Sequence, residues 1–112
     1  MTELRRGRPY DARTDGDGAR VLVDRLWPRG LSKEAADLDL WAKDASPSTE
    51  LRQWFHANSG ETDEFAERYR VELASSADAL NEIRAAGDVV TLLSARKDAE
   101  HVTVLLEVLS EH

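Results

Sequence analysis

The sequence predicts an α/β fold in which helices cover a small, mostly parallel sheet of three or four strands. Two short apolar runs rich in β-branched residues, at 20–26 and 88–95, are typical of buried strands. Apolar residues between and after these runs recur at helical spacing. The resulting strand, helix, strand, helix order favours a parallel pair joined by a right-handed crossover. With 112 residues, the chain has room for one domain, residues 1–112.

Three segments are candidate strands, and their patterns differ in strength. The run at 88–95 is the clearest, and we expect it in the centre of the sheet. The run at 20–26 reads as a second buried strand, whereas 4–8 is a weaker candidate. The eleven residues at 9–19 carry turn signals where a crossover helix would need an apolar stripe. The first strand is therefore expected to pair antiparallel or to lie at an edge.

Capping signals and apolar stripes predict the helices. Ser46 as N-cap with Pro47 at the first helical position predicts one helix start, and Thr62 followed by acidic residues predicts another. The pair Ser75-Ser76 divides the long second stripe into two helices. The apolar stripes lie at 51–55, 65–73, 77–86 and 102–109.

Composition excludes several classes of protein. The chain has no cysteine, so it has no disulfide, no thiol nucleophile and no cysteine-based zinc site. No apolar run approaches the roughly 20 residues that a membrane-spanning helix needs, and the N-terminus lacks the apolar stretch of a signal peptide. We therefore expect a cytoplasmic protein without a membrane partner. The three histidines never recur at the spacing of a metal-binding pair, so no metal site is predicted.

Charge is unevenly distributed along a chain whose net charge is −7. Residues 1–33 hold eight basic and five acidic side chains, whereas the other 79 residues hold seven basic and 17 acidic ones. An acidic body repels a long polyanion such as DNA, but a local basic pocket can still hold one small anion. The charge pattern favours a small anionic ligand over nucleic acid. The alternative is an interaction or nucleic-acid-associated module whose contact strip is Arg5, Arg6, Arg8 and Arg13.

The ends of the two predicted central strands carry the candidate ligand-binding residues. Ligands of open α/β sheets bind beyond the carboxyl ends of the strands. The segments that leave those ends, 25–33 and 94–98, are rich in arginine and lysine, which bind phosphate or carboxylate groups. A cationic pocket for a phosphate- or carboxylate-bearing ligand is therefore predicted at this edge. Its ligand-binding residues are Arg25, Trp27, Arg29, Lys33, Ser94 and Lys97.

Two carboxylates at the same edge are candidates for chemistry. If the protein is an enzyme, Asp24 or Asp98 is the candidate general base, and the arginines would stabilise developing negative charge. The residues leave open whether any reaction occurs and which cofactor it would use. For Asp24, a partly buried ion pair that holds the sheet to its helices is the competing interpretation.

The segment at 27–30, Trp-Pro-Arg-Gly, is well suited to a tight turn. Pro28 fixes one backbone angle and Gly30 permits a positive φ, so the turn would project Arg29 to the rim of a concave surface. Trp27 would then form a wall of the pocket, although a large ring also fits a core. In the alternative, Arg29 forms an ion pair with a helix carboxylate and merely fastens the loop. The candidate partners are Glu34 and Asp37.

Four sequence strings carry a resemblance to a known family. They are V-D-R-L-W-P-R-G at 23–30, W-A-K-D at 41–44, P-S-T-E-L-R at 47–52 and T-L-L-S-A-R-K-D at 91–98. Together they resemble the domain of unknown function 488 family, the YeaO-like proteins, over nearly the whole chain. The resemblance implies a small α/β protein of the bacterial cytoplasm with no established reaction, and it adds Arg52 to the predicted ligand-binding residues. The polar stretch usual before the family's last helix is reduced here to residues 100–102, which argues against binding by that helix start.

Overall fold

A four-stranded parallel sheet organises the fold in a computed structural model that describes residues 2–96 and 99–111. In this part of the chain the strands are β1 (Glu3–Gly7), β2 (Ala19–Leu22), β3 (Leu40–Trp41) and β4 (Val89–Leu93), in the spatial order β1-β4-β2-β3. The helices are α1 (Lys33–Ala36), α2 (Thr49–Ala57), α3 (Thr62–Ala74), α4 (Ala77–Ala85) and α5 (Glu100–Ser110). The predicted α/β class is confirmed. Lys97 and Asp98, two predicted site residues, lie outside the described residues.

The sheet confirms the central position of β4 and corrects the pairing of β1. β4 lies between β1 and β2 and pairs parallel with both. β1 lies at an edge, as expected, but its predicted antiparallel alternative is wrong. Eleven residues separate Gly7 from Ala19, and an extended segment of that length spans about 35 Å. That reach is enough to cross beneath one neighbouring strand without a helix, so a parallel arrangement is possible.

Close packing brings the loop after β1 against β4. Gly18 has a φ of +63°, and a Cβ atom there would lie 2.2 Å from the carbonyl oxygen of Val89. Only glycine therefore fits at this crossing. The hydroxyl of Thr91 also donates to the carbonyl of Asp17 at 2.7 Å. These contacts hold the loop across the sheet.

Two predicted boundaries move in the structure. The strand predicted at 20–26 ends at Leu22, because the chain turns away from the sheet once the amide of Val23 has bonded the carbonyl of Leu93 at 3.0 Å. The helix predicted to begin at Ser46 begins at Thr49 instead. Ser48 is its N-cap and accepts from the amide of Leu51 at 3.1 Å, so the proline precedes the cap. The helix start at Thr62 and the break at the serine pair are confirmed.

The core is built from the inner strands and the longer helices. Every residue of β2 is buried, which is the continuous burial typical of a parallel sheet covered on both faces. Tyr69 is completely buried, and its hydroxyl donates to the carbonyl of Ala45. Among the helices that the structure describes, none is long and apolar enough to cross a membrane.

Candidate ligand-binding site

A cleft of about 290 Å³ opens where the chain leaves β2 and β4. The segments after both strands contribute to its lining, together with α2, α3, the start of α5 and the loop after β1. Its apolar and aromatic lining residues are Tyr10, Leu26, Trp27, Pro28, Pro47, Phe55, Phe65 and Ala95. Its other lining residues are Asp24, Arg25, Arg29, Arg52, Arg96, Glu100 and His101. The cleft thus has a largely apolar lining to which four arginines also contribute.

Asp24 is the structural centre of the cleft. Its Oδ1 accepts from the hydroxyl of Ser94 at 2.7 Å and lies 2.9 Å from Nε2 of His101. Its Oδ2 accepts from the amide of Ala95 at 2.8 Å. The carboxylate therefore fastens the end of β2 to the end of β4 and to the first turn of α5. The three residues that contact this carboxylate, Ser94, Ala95 and His101, are buried or half-buried, so these bonds are shielded from solvent.

These contacts determine the protonation of Asp24. Burial alone would raise its pKa, but hydrogen bonds from His101, from Ser94 and from the Ala95 amide together hold the pKa below the usual value of 3.8. Asp24 is therefore a carboxylate at neutral pH. A carboxylate with a lowered pKa and three donors is a poor general base.

Trp27 forms one wall of the cleft, and the turn after it has the geometry expected from its sequence. Gly30 has a φ of +77°. The indole N–H of Trp27 donates to the carbonyl of Leu31 at 2.6 Å, which closes the turn. The Trp27 ring meets the ring of Trp41 edge to face, with centroids 5.3 Å apart. The indole N–H of Trp41 in turn donates to the carbonyl of Asp24 at 2.7 Å, so both rings are fixed to the site.

The arginines of the cleft differ in the hydrogen bonds and ion pairs that their side chains form within the protein. Arg25 donates to the carbonyls of Pro47 at 3.0 Å and Ser46 at 3.3 Å, and so braces the segment before α2. Within the described part of the chain, the side chains of Arg29 and Arg52 have neither a hydrogen bond nor an ion pair. Arg29 is exposed, and its backbone carbonyl accepts from the hydroxyl of Tyr10 at 3.1 Å.

The predicted fastening of Arg29 to a helix carboxylate is not observed. Asp37, one of the two candidate partners, pairs instead with Arg13 at 2.7 Å. Arg29 meets no carboxylate among residues 2–96 and 99–111. It lies in the lining of the cleft together with Arg25 and Trp27, as the turn predicted.

Two other predicted site residues, Lys33 and Ser94, lie apart from the cleft surface. Lys33 begins α1 and is exposed, and it does not belong to the cleft lining. Ser32 caps this short helix and accepts from the amide of Ala35 at 3.0 Å. Ser94 is buried beneath the lining and holds Asp24 rather than facing the opening. Arg52, which entered through the family resemblance, does line the cleft.

The four arginines of the alternative nucleic-acid contact strip form hydrogen bonds or ion pairs within the protein. Arg5 pairs with Glu3 and donates to the carbonyl of Gly16, and Arg13 pairs with both Asp37 and Asp39. Arg6 donates to Thr103 and to the carbonyl of Ala99, and Arg8 donates to the carbonyl of Ala95. These side chains brace loops and helix starts.

Sequence reasoning missed His101. The family resemblance argues against binding by residues 100–102, yet His101 lines the cleft and contacts Asp24. The available signal was a single polar residue on the apolar stripe of the last helix. A histidine on such a stripe must find a buried partner, but the sequence does not say which one.

Comparison with known proteins places the chain in a family. The model of the family described as "Inactive DUF488-N3 subclade" matches residues 3–112. An uncharacterised protein of Mycobacterium tuberculosis (strain ATCC 25618 / H37Rv) is 42% identical over 113 residues, which cover 97% of this chain and 95% of the relative. The uncharacterised protein YeaO of Escherichia coli (strain K12) is 51% identical over 67 residues, 60% of this chain and 58% of the relative. No solved structure matches.

Proposed function

Since the chain belongs to the inactive DUF488-N3 subclade, we propose that its cleft binds a small phosphate- or carboxylate-bearing ligand without transforming it. The observation that carries this proposal is the state of Arg29 and Arg52. Both line the cleft, and within the described part of the chain neither guanidinium has an intramolecular partner. The chain has 22 acidic residues that could pair with an arginine. We expect cations to lack such a partner where a bound anionic ligand neutralises them.

The apolar lining supports a binding role. Small-molecule sites are concave and mostly apolar, with a few polar groups that orient the ligand. Trp27, Phe55 and Phe65 give the cleft aromatic surface, and the arginines supply the polar groups. The low dielectric of such a lining strengthens each ion pair that forms inside it. The cleft is thereby suited to an anion with an apolar body.

The hydrogen bonds of Asp24 and Ser94 support binding rather than catalysis. The hydroxyl of Ser94 donates to Asp24 and accepts from the amide of Arg96 at 3.2 Å. In a nucleophilic triad the serine would instead donate to the histidine, with the aspartate behind it. Here serine and histidine both use their hydrogen bonds on the same carboxylate. This arrangement fixes the site and leaves the serine without a base.

The nucleic-acid alternative has less support from the same observations. The side chains of its contact strip are held by carboxylates and carbonyls of the protein itself. Binding a phosphate backbone would require these bonds to break, and the rest of the chain is acidic. The salt dependence of any binding distinguishes the two functions, because a duplex site loses affinity steeply with salt.

Calorimetric titration with inorganic phosphate and with benzoate tests the proposal. Arg29→Ala and Arg52→Ala are each expected to weaken binding about tenfold, since each removes a charge-assisted hydrogen bond. Arg29→Lys keeps the charge and should retain part of the affinity, but it loses the two-pronged contact. Arg5→Ala, which removes one positive charge outside the cleft, is the matched control. Equal affinities in the wild type and both alanine variants of the cleft, or no binding of either probe, would overturn the proposal.

A further inference from the structure

We infer that His101 is a specificity-determining residue that accepts a hydrogen bond from the ligand through Nδ1. Asp24 holds the imidazole as the Nε2–H tautomer, so the other ring nitrogen presents a lone pair to the cleft. The ligand is accordingly an anion that also carries an O–H or N–H donor. This inference rests on the proposed function and names the chemical class of its ligand.

The bond to Asp24 fixes which ring nitrogen carries the proton. Nε2 of His101 lies 2.9 Å from Oδ1 of Asp24. The carboxylate already accepts from Ser94 and from the amide of Ala95, and its pKa is lowered, so it has no proton to give. The proton of this bond therefore belongs to Nε2. A neutral imidazole has only one N–H group, which leaves Nδ1 as an acceptor.

The accessibility of Nδ1 follows from the rest of the structure. The His101 residue is 4% exposed and lines the cleft. In the described part of the chain no group hydrogen-bonds Nδ1, and the buried side-chain polar atom that lacks a partner there is Nε of Arg84. Nδ1 is consequently not sealed in the interior. Because His101 lines the cleft, we infer that this accessible nitrogen lies on the cleft side.

The surroundings of His101 define the rest of the ligand. Phe55, Phe65 and Trp27 line the same cleft and suit a flat apolar body. Arg29 and Arg52, which bind the anion in the proposed function, would bind the anionic group of this ligand. An acceptor in an apolar cleft discriminates strongly, because a ligand without a matching donor leaves it desolvated and unpaired. Small aromatic acids with and without a hydroxyl group are therefore the informative probes.

Nitrogen-15 NMR of the histidine side chains at pH 8 tests the tautomer without any ligand. The wild type is expected to show the Nε2–H form for His101, assigned by loss of its signals in His101→Gln. Asp24→Asn is the decisive variant, since its amide N–H can donate to Nε2 while its carbonyl still accepts from Ala95. That variant should switch His101 to the Nδ1–H form. Protonation of Nδ1 in the wild type at this pH, or the same tautomer in both proteins, would overturn the inference.

Titration at pH 8 with benzoate and with the three hydroxybenzoate isomers tests the ligand class. At least one isomer is expected to bind the wild type about tenfold more tightly than benzoate does. In His101→Gln the side-chain amide reaches the position of Nε2 and keeps the bond to Asp24, but no acceptor replaces Nδ1. That variant should lose the advantage of the hydroxyl, so that benzoate and the favoured hydroxybenzoate bind to it with similar affinities. His56→Gln, which changes an exposed histidine away from the cleft, is the control.

The outcomes separate this inference from the proposed function. If benzoate binds and depends on Arg29, but no isomer binds more tightly, the role of His101 is wrong and the anion site stands. If a hydroxybenzoate still binds His101→Gln more tightly than benzoate does, the role of His101 is likewise wrong and the anion site stands. If neither inorganic phosphate nor any of the four acids binds the wild type, the proposed function is wrong and so is the ligand class. If phosphate binds and depends on Arg29 but none of the acids binds, the ligand class alone is wrong.

Discussion

Two groups of arginines in this protein have opposite surroundings. The group near the N-terminus is dense in sequence, and its side chains are occupied by carboxylates and carbonyls of the protein. The cleft contains Arg29 and Arg52, which come from separate segments and have no such partner within the described residues. The dense group is therefore structural, whereas the dispersed pair is the one that we propose binds a ligand.

Arg20 is the extreme case of the structural group. It is 1% exposed, and its guanidinium donates to the carbonyls of Ala36, Asp11 and Pro9 as well as to Asp17 at 3.0 Å. These partners belong to the loop after β1 and to α1. The comparison teaches that the number of arginines in a segment is a poor guide to binding. What each guanidinium contacts is the better guide, because a satisfied cation has little to offer a ligand.

The largest expected effect is on the most buried member of the structural group. Arg20→Ala should lower the free energy of unfolding by about 3 kcal/mol, because it leaves Asp17 and several buried carbonyls without their donor. Urea denaturation measures the change. Arg5→Ala, at an exposed position on β1, is the control and should stay within about 0.5 kcal/mol. Equal losses in the two variants would remove the distinction between buried braces and surface pairs.

An intermediate effect is expected at the carboxylate that holds the cleft. Asp24→Asn should cost about 2 kcal/mol at pH 7, since three hydrogen bonds lose their charged acceptor. The folded pKa of Asp24 lies below 3.8, so this contribution is complete above the unfolded value and is lost as the pH falls through the folded one.

Measurements across pH sharpen that prediction. The difference between the wild type and Asp24→Asn should shrink below about pH 4, where Asp24 of the wild type becomes protonated. Asp17 and Asp39 also have lowered pKa values, but both proteins contain them, so their effects cancel in the difference. A difference that does not shrink below about pH 4 would contradict the assignment of the buried carboxylate.

The smallest effect is expected at the exposed pairs of Arg13. Arg13 contacts Asp37 at 2.7 Å and Asp39 at 2.9 Å, and about a third of its side chain is exposed. Arg13→Ala should lower the free energy of unfolding by about 0.5 to 1 kcal/mol. Because solvent-exposed pairs are screened, thermal melts in 1 M NaCl should show a smaller difference than melts in low salt. If Arg13→Ala lowered the free energy of unfolding as much as Arg20→Ala does, solvent exposure would not determine how much each arginine contributes to stability.

Local sequence signals determined the fold class and much of the turn before the cleft. The apolar run of β4 and the stripe of α5 each carry their own period, so neither depends on distant residues. The turn at 27–30 follows from Pro28 and from the positive φ of Gly30. Element boundaries were less certain where two serines flank one proline, since either can cap a helix. β3 was missed because two residues are too few to show a period.

Only the tertiary structure decided which polar residues meet. Asp24 bonds Ser94 and His101, which lie 70 and 77 positions further along the chain. No local pattern links such distant residues, because their proximity depends on strand order and on where α5 begins. The same applies to the arginines, since sequence shows the charge but not the partner. The sequence thus determined the longer elements and the cationic character of the strand ends. Packing determined which cations are satisfied, because each partner comes from another part of the chain.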